Sequence, residues 1–161
     1  MQLAVIMMPR DATDTESDAP ASGVDTFLSN AIAVLAVAGI IVSGVSLQRH
    51  FAKSATQFCD FNQKFSCDIV NRSEYSSIMG IPVAGIGVLG YAAVFALSTF
   101  LRRRRDTPGR LLAAAFAGLA FAVYLTCVEA YVLTTWCILC LISLFLIVMI
   151  SVLAAIVRAR A

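Results

Sequence analysis

Charged residues are scarce in this chain. They make up 14% of its 161 residues, whereas hydrophobic residues make up 60%. An ordinary soluble domain is about 25% charged and about 45–50% apolar. With a formal net charge of +2, the chain has no electrostatic field that would collect a nucleic acid. The composition therefore excludes a disordered protein, a nucleic-acid binder and a typical soluble enzyme, and it favours a membrane protein.

A nucleotide-binding glycine motif is also lacking. Gly80, Gly85, Gly87 and Gly90 fall inside one long apolar run instead of in a strand-to-helix turn. Glycines in such a run let neighbouring helices, or a flat ligand, approach closely.

Long apolar runs are what the sequence has in place of charge. A helix needs about 20 residues to cross about 30 Å of hydrocarbon. Four runs are long enough, and Glu129 is their only charged residue; they cover residues 27–47, 78–101, 111–133 and 136–157. Two buried hairpins of a soluble protein are the alternative, but they would leave too little polar surface to cover them. The sequence predicts an all-α integral membrane bundle of four transmembrane helices.

The segments between the runs predict the orientation. Residues 1–26 are acidic and rich in Ser, Ala and Thr, which predicts a disordered tail before a domain over residues 27–158. Eight of the twelve basic residues lie in the two termini and in the segment 102–110. By the positive-inside rule, both termini are expected on the cytoplasmic side. The segment 48–77 is then expected to face outward as a loop or short-helix cap.

A C-x-x-C motif opens the fourth run. Cys137 and Cys140, at positions i and i+3 of a helix, lie about 5–6 Å apart, within reach of a disulfide. A helix N-terminus stabilises an anion, so the pKa of one thiol is expected to be lowered. Cys137 is expected nearer the water and Cys140 about one turn deeper. This order suits electron transfer from a protein thiol to a lipid-soluble acceptor.

A second cysteine pair, Cys59 and Cys67, lies in the outward segment. Such a pair is redox-active or serves as a structural staple, and the residues alone leave both readings open. A four-cysteine zinc site is disfavoured by the wide C-x7-C spacing, and we expect no metal. Cys127, inside the third run, is expected to be a small packing residue.

Together, these motifs resemble the vitamin K epoxide reductase family over residues 27–157. The resemblance is carried by the C-x7-C pair, by Ser73, by the Ser-Ile-Met-Gly-Ile-Pro segment at 77–82 and by Trp136 with the C-x-x-C. The chain resembles the prokaryotic members, which are four-helix quinone reductases of the bacterial inner membrane that reoxidise a periplasmic thioredoxin-fold disulfide donor. Some members carry the donor as a fused domain. This chain ends at Ala161 without one, so the resemblance implies a separate periplasmic partner.

The resemblance also implies roles for the cysteines. Cys140 would be the thiol that faces the quinone, with Cys137 as its exchange partner. Cys59 and Cys67 would be shuttle cysteines that take electrons from the partner. The electron acceptor would be a membrane quinone, either menaquinone or ubiquinone, and the reaction would support disulfide bond formation.

Four further positions are candidates for contact with the quinone. Ser73 matches a serine near the redox centre of the family. Ser76 stands where the vertebrate enzymes have a quinone-binding asparagine, and Leu144 where they have a tyrosine. These departures weigh against epoxide reduction and leave quinone reduction unaffected. Trp136 is a candidate wall of the quinone site or a member of an interfacial aromatic belt.

Glu129 is a candidate for proton handling. Burying a carboxylate in lipid costs several kcal/mol, and carboxylates found there usually have a function. The alternative is that it reaches the interface or pairs with a base such as Arg72.

Two other functions fit the same residues. One is a non-catalytic membrane scaffold with two structural disulfides. The other is a relay that runs the same exchanges backward to import reductant.

Overall fold

The computed structural model describes residues 23–51, 67, 70, 73–78, 80–102, 104 and 106–161. The described part of the chain has four long helices: α1 (Gly23–Phe51), α2 (Val83–Thr99), α3 (Thr107–Val128) and α4 (Ile138–Arg160). A 3-10 turn, Glu74–Ser76, and two short antiparallel strands, β1 (Ser77–Ile78) and β2 (Ile81–Pro82), precede α2. A π-helical turn, Glu129–Leu133, follows α3.

The predicted all-α membrane bundle is confirmed. Helix α1, helix α3 with its π turn, and helix α4 are each long and apolar enough to cross a membrane. Helix α2 is equally apolar but has only 17 residues.

The start of α2 differs from the sequence prediction. The apolar run begins at residue 78, but the helix begins at Val83. Ile78 pairs with Ile81 across a tight turn in which Gly80 has a φ of +83°. Pro82 then occupies the N-cap, where its fixed φ and missing N–H cost little. The hairpin thus uses residues that hydropathy alone assigns to the membrane.

The ends of α1 also differ from the prediction. The helix includes residues 23–26, predicted as tail, and residues 48–51, predicted as loop. Asp25 in the first turn and Arg49 in the last both complement the helix dipole, which explains the extension. The rest of the predicted tail, and Cys59 in the loop, lie outside the described residues.

Small residues allow the helices to pack closely. A Cβ atom on Gly39 of α1 would overlap the ring of Tyr91 of α2. Ser151 of α4 donates a hydrogen bond to the backbone oxygen of Ala115 of α3. In lipid there is no hydrophobic driving force between helices, so close packing at small residues is a main source of their association.

The connection between α3 and α4 positions the site. After the π turn, Thr134 adopts the left-handed conformation with a φ of 48°. Thr135 is buried, and its hydroxyl donates to the oxygen of Leu133. Cys137 is the extended N-cap of α4. This tight reversal returns the chain beside Glu129, eight residues earlier.

Candidate active site

Two described cysteines meet in a buried cluster at the start of α4. Cys137 is fully buried and Cys67 is 2% exposed. They pack together with Val70, and their side chains interact directly. The structure therefore brings one member of the outward pair to the C-x-x-C.

Cys140 has a different environment from Cys137. It is partly exposed and lines a cavity of about 420 Å³ inside the bundle. Cys67, Val70 and Leu133 pack over Cys137 and close it off from the surface. The two thiols of the motif face two compartments: Cys137 faces Cys67, and Cys140 faces the cavity.

All four helices contribute to the cavity. Its wall is mainly apolar and small, with a few polar groups. The lining includes Ser43, Ser46 and His50 of α1, Gly87, Gly90 and Tyr91 of α2, Gly118, Phe121 and Glu129 of α3 and the π turn, and Cys140, Ser143 and Ile147 of α4. An apolar cavity with a few convergent polar groups is the usual form of a small-molecule site.

Glu129 is buried beside the C-x-x-C and is only 2% exposed, so it does not reach the interface. Its Oε2 accepts a 3.1 Å hydrogen bond from the backbone N–H of Cys137. A carboxylate oxygen and the sulfurs of Cys137 and Cys140 all lie within 4.8 Å of one another. Within the described residues, Oε1 has no hydrogen-bond partner. Arg72, the predicted alternative partner, lies outside the described residues.

The pKa of Cys137 is raised above its ordinary value, not lowered. The principal cause is the neighbouring Cys140 thiol, and burial adds to it, while Cys67 opposes the change. Burial of Cys137 disfavours its thiolate.

Two of the predicted quinone contacts, Ser73 and Ser76, line the cavity. The Ser76 hydroxyl donates to the backbone oxygen of Ser73 at 2.6 Å and lies 3.3 Å from Nδ1 of His50. The Ser73 hydroxyl donates to the oxygen of Val70 at 2.8 Å. These bonds connect the end of α1 to the segment that carries Cys67.

The other two predicted contacts lie elsewhere. Leu144 packs against the core of the bundle, and Trp136 is half-buried in the turn before Cys137. Neither belongs to the described cavity lining.

The sequence analysis missed several lining residues. Ser43, Ser46 and His50 repeat at positions i, i+3 and i+7, which places them on one helix face. That spacing is the signal that would have found them. Tyr91 donates to the backbone oxygen of Ser143 at 2.8 Å, a contact between α2 and α4 with no signal in the local sequence.

Fold and site together define a helical membrane protein in which a cysteine pair adjoins an apolar cavity. The model of the vitamin K epoxide reductase family matches residues 30–155. Because the match covers most of the chain, the chain belongs to this family. The family comprises oxidoreductases whose general chemistry is thiol redox exchange linked to a quinone electron carrier.

Proposed function

We propose that this protein is a quinone-dependent thiol oxidase that supports disulfide bond formation. Electrons from a reduced periplasmic thioredoxin-fold partner enter at Cys59 and Cys67, pass to the C-x-x-C, and leave to a membrane quinone. The observation that carries the proposal is the division of the motif. Cys137 contacts Cys67, while Cys140, one turn along α4, lines the cavity.

The first steps are thiol–disulfide exchanges. A partner thiolate attacks the Cys59–Cys67 disulfide, and the partner's second thiol resolves the mixed disulfide, which leaves both loop thiols reduced and the partner oxidised. A loop thiolate then attacks the Cys137 sulfur of the Cys137–Cys140 disulfide, and Cys140 leaves as a thiolate. The other loop thiol re-forms the Cys59–Cys67 disulfide and releases Cys137 as a thiol. The contact between Cys67 and Cys137 supports Cys67 as the attacking residue.

The cavity residues fit a flat, largely apolar acceptor. Gly87 and Gly118 add no side chain to the wall, and Phe121 supplies an aromatic surface. A quinone bound here would accept two electrons and two protons and leave as the quinol. Cys140 is the cysteine of the motif that lines this cavity, so we assign to it the delivery of electrons, with restoration of the Cys137–Cys140 disulfide. Ser73 and Ser76 lie in the wall as candidate polar contacts.

We assign two tasks to Glu129. Oε2 accepts a hydrogen bond from the backbone N–H of Cys137 and so fixes the start of α4. The carboxylate also lies within 4.8 Å of both sulfurs of the motif, where it can exchange a proton with their thiols. Glu129 lines the cavity as well, so a proton taken from the reduced motif is delivered on the acceptor's side of the site.

The same cavity suggests a path for the apolar tail of a lipid-soluble quinone. Its lining continues inward along α3 and along the small residues of α2. Gly90 and Ala93 of α2 and Ala117 of α3 all line the cavity and are exposed at the bundle surface. We therefore place the tail in the cleft between α2 and α3.

The decisive experiment measures quinol formation. Purified protein in detergent receives a reduced thioredoxin-fold donor and a short-chain quinone, and quinol is followed by absorbance. We expect turnover in the wild type, loss of turnover in Cys140→Ala, and wild-type turnover in the matched control Cys127→Ala. Cys127 is an exposed thiol on α3 outside the cavity lining.

Two outcomes would contradict the proposal. Absence of turnover, together with disulfides that persist in mild reductant, would support the scaffold. Faster reaction of quinol with oxidised donor than of quinone with reduced donor would support the reductant relay.

A further inference from the structure

We propose that the reduced protein binds one zinc-type divalent ion through Cys137, Cys140 and Glu129, and that this ion holds the site in its dithiol form. Metal binding by these residues can be measured without any turnover of the redox cycle. The inhibition that follows from it rests on the proposed function.

The three ligand atoms are already close together. The two sulfurs and a carboxylate oxygen lie within 4.8 Å of one another. In a tetrahedral zinc site, with bonds of about 2.3 Å to sulfur and about 2.0–2.2 Å to oxygen, neighbouring ligand atoms are about 3.6–3.8 Å apart. The cluster therefore needs to contract by roughly 1 Å or less, which side-chain torsions can supply.

An independent observation points to a ligand at this position. Glu129 is only 2% exposed, and within the described residues its Oε1 accepts no N–H or O–H hydrogen bond, which leaves the Cys140 thiol as the polar group beside the carboxylate. A buried carboxylate oxygen that has only a weak thiol donor beside it is costly, and an unassigned ion is one of its recognised explanations. The other oxygen is held by the Cys137 N–H, so the carboxylate is oriented next to the sulfurs.

The donor set suits a borderline-soft ion. Two thiolates and one carboxylate match the ligands that zinc prefers, whereas magnesium and calcium prefer oxygen alone. Binding converts Zn²⁺ and two thiols into a zinc dithiolate and releases two protons, with no change in oxidation state. The fourth position is left for water or for Cys67, whose side chain packs against Cys137.

The site exists only in one redox state. A Cys137–Cys140 disulfide offers no thiolate, so the ion binds the reduced form selectively and opposes reoxidation by the acceptor. Micromolar zinc should therefore inhibit turnover, and a chelator should restore it.

The sequence could not show this site. Zinc was disfavoured on the spacing of the four cysteines, and Cys59 is not needed here. The third ligand, Glu129, comes from the π turn, and only the reversal at Thr134 returns it to the C-x-x-C.

The test is a binding measurement on the full chain in detergent, without donor or quinone. Reduced and oxidised protein are titrated with Zn²⁺ against a chromophoric chelator, and with Cd²⁺ while thiolate-to-metal absorbance is followed in the ultraviolet. We expect one ion per reduced chain and none per oxidised chain. Glu129→Gln should weaken binding at least about tenfold, Cys140→Ser should abolish the site, and Cys127→Ser should bind as the wild type does.

Three results would overturn the inference: no stoichiometric binding by the reduced chain, equal binding by the oxidised chain, or unchanged binding in Cys140→Ser. Thermal unfolding of each variant checks that it is folded. If Glu129→Gln does not fold, the Cys140→Ser variant still tests the site. Stoichiometric binding by a protein that never reduces quinone would uphold the metal site and refute the proposed function. Turnover by a protein that binds no metal would do the reverse.

Discussion

Two cysteines separated by two residues occupy different environments in this protein. Cys137 is the N-cap of α4 and is closed in by Cys67 and Val70, whereas Cys140 lies on the cavity face of the same helix. An i, i+3 pair can form a disulfide while its members serve different neighbours, because the direction of each side chain is set by its place on the helix. The division of labour proposed for the two thiols follows from this geometry.

Removal of Cys140 should trap the exchange intermediate. In Cys140→Ser, mild oxidation should join Cys67 to Cys137, because these side chains are in contact and the natural partner of Cys137 is gone. Mass spectrometry of digested, alkylated protein reads the linkage. The matched variant Cys137→Ser should not link Cys67 to Cys140. A Cys59–Cys137 linkage in Cys140→Ser would assign the attack to the other loop cysteine.

Glu129 should show separate structural and chemical effects. Glu129→Gln keeps an oxygen for the Cys137 N–H but cannot accept a proton, so it should fold normally and lose about 100-fold or more in turnover. Glu129→Ala also leaves that N–H unsatisfied, which should cost about 1–3 kcal/mol of stability. Turnover assays and thermal unfolding separate the two effects. Wild-type turnover in Glu129→Gln would leave the carboxylate with a capping role only.

At the scale of elements, the site depends on the irregular connection between α3 and α4. A π turn is followed by a single left-handed residue, Thr134. Hydropathy predicted one continuous span over residues 111–133, because a π turn keeps the same composition as an α-helix. The register of the π turn decides where the Glu129 side chain points. That register depends on packing between helices, which cannot be read from composition.

A substitution to glycine should have opposite signs at two threonines. A β-branched residue at positive φ is strained, so Thr134→Gly should be neutral or stabilise the protein by up to about 1 kcal/mol. Thr126→Gly, within α3, should destabilise it by about 1 kcal/mol. Thermal unfolding in detergent measures both. Destabilisation by Thr134→Gly equal to that by Thr126→Gly would argue against strain at the turn.

At the scale of the whole molecule, hydropathy predicts the number and approximate position of the helices but not which residues face inward. The hydrophobic runs identified the bundle because each helix is apolar on every side. The same uniformity hides the inner face, so Ser43, Ser46 and Tyr91 were not predicted as cavity residues. The redox role of the C-x-x-C could be predicted from the chemistry of cysteine and its position in the chain. The quinone contact of Leu144 was predicted from the resemblance alone, and Leu144 packs against the core.

The lining of the cavity predicts where the apolar tail of a quinone lies. A Cβ on Gly90 of α2 meets no atom within 4 Å, so Gly90→Leu should fold and extend into the cleft between α2 and α3. Steric overlap with a tail there should raise the KM for a long-chain quinone about tenfold, equivalent to about 1.4 kcal/mol. The KM for a tailless quinone should change little.

Gly44→Leu is the matched control for this variant. Gly44 also faces open space, but it lies on α1 and is not part of the described cavity lining. The KM of the Gly44→Leu variant for each of the two quinones should equal that of the wild type. Equal losses for both quinones in Gly90→Leu would mean that the leucine blocks the ring site itself. An unchanged KM for the long-chain quinone would mean that the tail leaves the bundle elsewhere, because the α2–α3 cleft is the path that the leucine closes.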